Sequence, residues 1–441
     1  MRKNASVSRL TFKVLFRAFL PTKTIQRWVK RLGPAKRCPP KISAPELLMG
    51  LVFHLLAGAG TLAEHVRDLT GKTISDSALS QRRANLPWII FEMILDAALV
   101  PRAKAKEHPE AFYHGLRLCG LDGSRFSVAN TPQIKERLSK ADTRRHKAAF
   151  AKVGVAVLVE LALHNPIGAA IGASDESEMV LARQLLDRLP ENSLLISDRY
   201  YGVPLVLIDF KTTHKKGRRE FLVRAKENLK GRVLECYGDG SALVEIQSEG
   251  KTLLVREIMG AVRKGKSSWS QVRLWTSLLD WKKYAAADLL ALYARRWEQE
   301  SFYRELKVDL RSSPLIQSHT PLTASQEVAA LIMAYAILVD ERIKAAGVGD
   351  VPVLRISFLK TMEAVRGLWH FLEVTEDLLD ARGVRLAVRR TMKRIAQMAI
   401  PKRRQRSCPR ALRQPVSSWP RLLENRSINA APEYILRPII P

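Results

Sequence analysis

Three acids in this chain are of a type and setting that could hold a metal. Asp122 follows the apolar run Leu118–Leu121 and opens Asp-Gly-Ser, and Asp198 follows Leu194-Leu195-Ile196-Ser197 and opens Asp-Arg-Tyr-Tyr-Gly. Glu300 lies in a stretch whose pattern predicts a helix from Ala285 to Arg311. Carboxylate oxygens are hard ligands, suited to Mg2+ or Mn2+ rather than zinc. Two such ions about 3.5–4 Å apart can activate an attacking oxygen and stabilise a leaving one during phosphodiester cleavage.

Each aspartate alone is weak testimony. Asp before Gly is most often a turn residue, and Asp198 could equally cap a turn or a helix. Asp175, Glu176 and Glu178 compete for the same role, but they read as the first turn of a helix, where acids favour the dipole. Glu300 is more specific. At ~100° per residue, Tyr293, Arg296, Glu300 and Lys307 fall on a stripe roughly 60° wide. Leu292, Phe302, Tyr303, Leu306 and Leu310 occupy the opposite arc, where they can pack on a core. An Arg296–Glu300 pair also decorates ordinary solvated helices. Trp297 and Phe302 beside it argue instead for a helix largely covered by protein or ligand. Arg296 can hold a phosphate in bidentate fashion, Lys307 as a point charge, and Tyr293 can stack on a base.

Tyr293-x2-Arg296-x3-Glu300-x6-Lys307 resembles the Y-R-E-K signature of the insertion-sequence-four family of DDE transposases. The Asp122 and Asp198 boxes resemble that family's first two catalytic boxes, and the resemblance spans about residues 115–340. It implies an α/β fold with a ribonuclease-H-like catalytic core and two metal ions, Mg2+ with Mn2+ as an alternative. It also implies cut-and-paste transposition on double-stranded DNA, by a hairpin or by hydrolysis, and a homodimer on paired element ends. By the same resemblance Asp122, Asp198 and Glu300 are the metal-binding catalytic triad, and Tyr293, Arg296 and Lys307 contact DNA around the cleaved strand. Some relatives carry a base-holding tryptophan before an Arg-Leu-x-Thr stretch. That place falls on Val272 here, and core packing is the expected role of the nearby Trp269 and Trp275. An inactive DNA-binding descendant, or a metal-dependent nuclease that joins no strands, are the alternatives.

The surrounding elements divide the chain into three expected regions. Residues 1–112 read as a helical DNA-binding region, with Thr61 and Glu64 at capping-box spacing, Gly71 as a stop, and a further helix from Ser75 or Asp76 through Arg83. A helix-turn-helix or a plain helical bundle fits this equally. Residues 113–340 alternate strands and helices, with strands at Leu116–Leu121 and Val153–Val159, a helix at Glu178–Leu189, and a β-rich insertion at about 219–278. Residues 341–441 form a basic helical region and tail, with twelve Lys or Arg and no acid between Arg382 and Arg413.

Lysine and arginine number 73 against 43 acids, a net charge of +30, which calls for a polyanionic partner such as nucleic acid. The hydrophobic fraction of 46% excludes a disordered chain. Cys38, Cys119, Cys236 and Cys408 form no CxxC pair, so a zinc site is not expected and a reducing cytosol is. The longest apolar run, Val328 to Val339, is short of the ~18–20 residues of a membrane span, so no membrane partner is expected and the setting is cytoplasmic, at the nucleoid.

Overall fold

The computed structural model describes residues 12–20, 22–32, 41–58, 60–138, 149–172, 176–213, 217–264, 268–311, 313, 315–375, 378–400, 412–413, 420–421 and 434–436. Asp175, Cys38, Cys408 and the basic Lys402-Arg403-Arg404 run lie outside them.

Six helices come first: α1 (Phe12–Phe19), α2 (Thr22–Leu32), α3 (Ala44–Ala57), α4 (Leu62–Thr70), α5 (Asp76–Ala84) and α6 (Trp88–Ala98). Strands and helices then alternate through β1 (Phe112–Tyr113), β2 (Leu116–Ser127), α7 (Pro132–Arg137), β3 (Lys152–Glu160), β4 (Asn165–Ile171), α8 (Glu178–Leu186), β5 (Ser193–Ser197), α9 (Pro204–Thr213) and β6 (Arg219–Arg224). Four further strands follow, β7 (Arg232–Cys236), β8 (Ala242–Ser248), β9 (Lys251–Lys264) and β10 (Ser268–Thr276). The helical part resumes with α10 (Ala286–Tyr293), α11 (Trp297–Arg304), α12 (Pro321–Gly349), α13 (Phe358–Val374) and α14 (Ala381–Gln397). Short strands β11 (Leu412–Arg413), β12 (Pro420–Arg421) and β13 (Tyr434–Leu436) lie in the C-terminal stretch.

These elements form two compact units. The first comprises residues 1–112, 121–188 and 298–399, and the second 113–120, 189–297 and 400–441. Strand β2 runs on from one into the other.

The first unit is built on α12, which packs against α3, α6, α13 and α14 and against β4. An 18-residue window of this helix has mean hydropathy 1.7, enough to cross a membrane by length and composition, yet 94% of that window is buried within the protein. A core helix that is apolar all round gives the same signal. The caps follow the sequence. Ser43 with Glu46 and Thr61 with Glu64 close capping boxes on α3 and α4, Gly71 ends α4 in the left-handed region, and Ser75 caps α5. The arginines of α5 turn inward. Arg83 donates to Ser318 Oγ and the Thr323 carbonyl, each at 3.0 Å, and Arg82 to the Ile42 carbonyl at 3.4 Å. These two side chains serve the helical bundle, whereas Ser80 and Gln81 on the same helix stand exposed.

In the second unit β5 runs parallel to β2 through Arg117–Gly120 and parallel to β6 on its other side. β6 then meets β10 antiparallel, and β10, β9, β8 and β7 continue as an antiparallel meander, the expected β-rich stretch. Its core holds Trp275, fully buried, whose indole N–H donates to Glu257 at 2.7 Å.

Two expectations are corrected here. β2 does not stop at Leu121 but runs to Ser127, so Asp122 lies within a strand. The apolar run breaks there because β2 has outrun β5, whose last register partner on it is Gly120. The stretch from Ala285 to Arg311 is also not one uniform α-helix. A 3-10 turn occupies Ala294–Arg296 and a π turn Glu305–Asp309, where the Leu310 N–H reaches back to the Glu305 carbonyl at 2.9 Å. The uniform ~100° step behind the predicted stripe therefore does not hold across it.

Because α12 is enclosed on every side, truncating it leaves a cavity rather than a solvated gap. Leu331→Ala is expected to cost ~2–5 kcal/mol and lower the urea midpoint without changing secondary-structure content; circular dichroism against urea measures both.

Candidate catalytic residues

Within the second unit the wholly buried β5 delivers Asp198 to a tight turn. Its Oδ1 accepts the Tyr200 N–H at 2.7 Å and its carbonyl the Tyr201 N–H at 3.3 Å. The glycine of this box is dictated by space, since a Cβ at Gly202 would stand 2.0 Å from the Arg224 carbonyl oxygen of β6. Tyr293, at the end of α10, shares this neighbourhood. Burial, together with the Asp198 charge, pushes its phenol up to about 12, against the lowering effect of the Arg296 and Arg224 cations. Tyr293 thus keeps its proton and is hydrogen-bonded to Arg296. Arg296 in turn lies over the Trp297 ring at 5.2 Å. Trp297 is 58% exposed, so the protein itself does not cover this side of the helix. Asp198, Tyr293 and Arg296 are therefore gathered, with Arg224 as a fourth member.

Within the first unit α11 is pinned to the strand that carries Asp122. The Tyr303 hydroxyl donates to the Asp122 carbonyl at 2.7 Å, and the Gln299 side-chain amide to the Val157 carbonyl of β3 at 3.1 Å. These two contacts flank Glu300 in sequence and fix its turn of helix on β2 and β3. Lys307 points back to the same strand, donating to Ser124 Oγ at 2.8 Å and to the Arg125 carbonyl at 2.7 Å, with its ammonium 5.1 Å from the Phe126 ring centroid. Burial, helped by Arg311 and Lys152, brings its pKa down to about 8. Phe302, Tyr303, Leu306 and Leu310 are buried, as their arc predicts.

Sequence reasoning missed several neighbours. Glu178, set aside as a helix-start acid, is in the first turn of α8, and a Cβ on Gly123 would meet its side chain at 2.2 Å. Its charge and that of Asp122 both act on Tyr303, whose phenol is raised chiefly by burial. Gln299 and Tyr303 were legible as an i,i+4 pair, but their carbonyl partners were not. Trp275 packs in the core as expected and Val272 is buried, whereas Trp269 is 38% exposed. Among the described residues no three His, Cys, Asp or Glu side chains converge closely enough to hold a metal ion.

Residues 113–337 match the transposase DDE domain family. The chain belongs to the DDE transposases, in their insertion-sequence-four family. It is 24% identical over 373 residues to the transposase InsG for insertion sequence element IS4 of Escherichia coli K12, covering 79% of this chain and 78% of that one. It is 27% identical over 171 residues to the putative transposase InsZ of the same organism, covering 38% of this chain and 56% of that one. Among solved structures it is similar to a piggyBac transposase synaptic complex with hairpin DNA, at 10% identity and a TM-score of 0.43, covering 88% of this chain and 86% of that one.

Lys307 gives a pH signature. Its free-state pKa of about 8 lies below the ordinary lysine value, and a bound phosphate would raise it by favouring the charged form. DNA affinity is therefore expected to fall as pH rises through about 8. Lys307→Arg, which keeps its charge, should flatten that limb. Fluorescence anisotropy between neutral and alkaline pH distinguishes the two, and identical profiles would count against a phosphate contact.

Proposed function

We propose that this transposase excises and inserts a DNA element by cut-and-paste chemistry, with Asp122, Asp198 and Glu300 holding two Mg2+ ions. The observation that carries this reading is a strand register. Gly120 of β2 pairs with Ile196 of β5 in a parallel ladder, and Asp122 and Asp198 each follow two residues beyond that pair. A ribonuclease-H-like core is part of the proposal. It is supported by antiparallel β3 and β4 in one unit and parallel β2, β5 and β6 in the other.

The donor set fits a hard divalent cation by its chemistry, three carboxylates without thiol or imidazole. No three-ligand cluster stands among the described residues, so Asp122, Asp198 and Glu300 are assigned as the holding residues on their donor chemistry and on the boxes they open. When bound, the ions polarise the scissile phosphate and lower the pKa of the attacking water or hydroxyl. The protein's own groups orient the strand. Arg296 clamps a phosphate through its planar fork, Lys307 neutralises a second, and the protonated Tyr293 donates to a phosphate or stacks on a base. The net charge of +30 supplies attraction to double-stranded DNA beyond these contacts. Residues 1–112 are proposed as a DNA-binding region and the basic stretch of 341–441 as a phosphate-binding one, in a homodimer on paired ends acting at the nucleoid.

The test is cleavage of a duplex carrying the element's terminal repeat. Glu300→Ala should bind that duplex with wild-type affinity while losing cleavage by about a thousandfold or more, since metal assistance is worth several kcal/mol. Cleavage at the wild-type rate by that variant would sink the assignment.

A further inference from the structure

We propose that His164 is a positioning residue for Glu300, an imidazolium strap that locks the helical winding between Glu298 and Glu305. This rests on the reading of Glu300 as a metal ligand. His164 sits in the turn joining β3 to β4, 3% exposed, in the left-handed region at φ 54°. Its Nδ1 is 2.9 Å from Glu305 Oε2 and its Nε2 3.0 Å from Glu298 Oε2. A carboxylate offers only acceptors, so both ring nitrogens must carry hydrogen, and the ring is held as a cation. Burial alone would favour the neutral ring; the two carboxylates overcome it and raise its pKa.

Glu305 is satisfied from other sides as well. It accepts from the Tyr335 hydroxyl at 2.6 Å and from Arg342 Nη1 at 3.2 Å, while Arg342 Nη2 donates to the Ile356 carbonyl at 2.5 Å. Two cations thus face two carboxylates, and the charges close inside the first unit. The positions strapped, 298 and 305, bracket Glu300 and the junction where α11 passes into the π turn. A π turn holds one more residue than the α turn it replaces and is generally tied to function. His164 is bonded to the first turn of α11 and to the residue where the π turn opens, so the winding that carries Glu300 is held at both ends.

The experiment compares the full chain with His164→Gln, Glu298→Gln and Glu300→Ala, each bound to terminal-repeat duplex. Mn2+ affinity is read by electron paramagnetic resonance, cleavage is titrated with Mg2+, and melting temperature reports folding. The strap predicts about tenfold weaker Mn2+ binding and a similarly raised Mg2+ requirement in both glutamine variants, the usual effect of removing an orienting partner. Their KM for DNA should not change. Should His164→Gln fail to fold, Glu298→Gln decides, because that side chain is 32% exposed and its loss leaves Glu305 paired with Arg342. Wild-type Mn2+ affinity and Mg2+ dependence in a folded glutamine variant would overturn the strap. So would ring nitrogen-15 shifts showing His164 singly protonated at neutral pH. Full Mn2+ binding by Glu300→Ala would instead overturn the ligand reading on which the strap depends, so the two failures are distinguishable.

Discussion

A buried carboxylate has to be ionised at a cost or protonated, and Glu305 is held ionised. Burial would raise its pKa, yet His164 and Arg342, with hydrogen bonds from His164 and Tyr335, keep it at about 2. The group ties three separate stretches of chain together: the β3–β4 turn through His164, the π turn through Glu305 itself, and α12 through Tyr335 and Arg342. Removing Glu305 would leave the His164 and Arg342 cations without the carboxylate they share in a low-dielectric interior, which is more damaging than losing one ordinary hydrogen bond. The conformation of the Glu300 segment is therefore set by charge closure as much as by apolar packing.

The two aspartate boxes show a second kind of control, exerted by the backbone. Asp122 and Asp198 both take part in short-range hydrogen bonds, the first with the Gly123 N–H at 2.9 Å and the second with the Tyr200 N–H. Each of these bonds alone would suit an ordinary turn. They become more informative in context, because β5 pairs with β2 only as far as the residues just before the acids. Strand pairing ends where polar chemistry begins.

Much of this was legible from sequence because it is local. The capping residues Ser43, Thr61 and Ser75, the meander of β7 to β10, and the buried arc from Phe302 to Leu310 all follow from spacings of a few residues. The turn of Asp198 was visible, and so was the partnership of Tyr293 with Arg296. What escaped depends on residues far apart in the chain. Nothing near Leu163-His164-Asn165 announces that its imidazole will meet Glu298 and Glu305. Nothing around Arg83 announces that Ser318 and Thr323 will receive its side chain. The π turn escaped for the same reason, since helical winding there answers to partners on β2, the β3–β4 turn and α12 that no window of sequence contains.

The interleaving of the two units has a consequence for synthesis. The first unit draws on residues at the start, middle and far end of the chain, and α3 and α6 pack on an α12 that begins only at Pro321. On the ribosome these early helices must wait, with apolar faces uncovered, until more than two thirds of the chain has emerged. Such a nascent chain needs shielding, and one cut short before α12 leaves α3 and α6 without the helix they pack on. Completion of the first unit is thus tied to synthesis of nearly the whole chain.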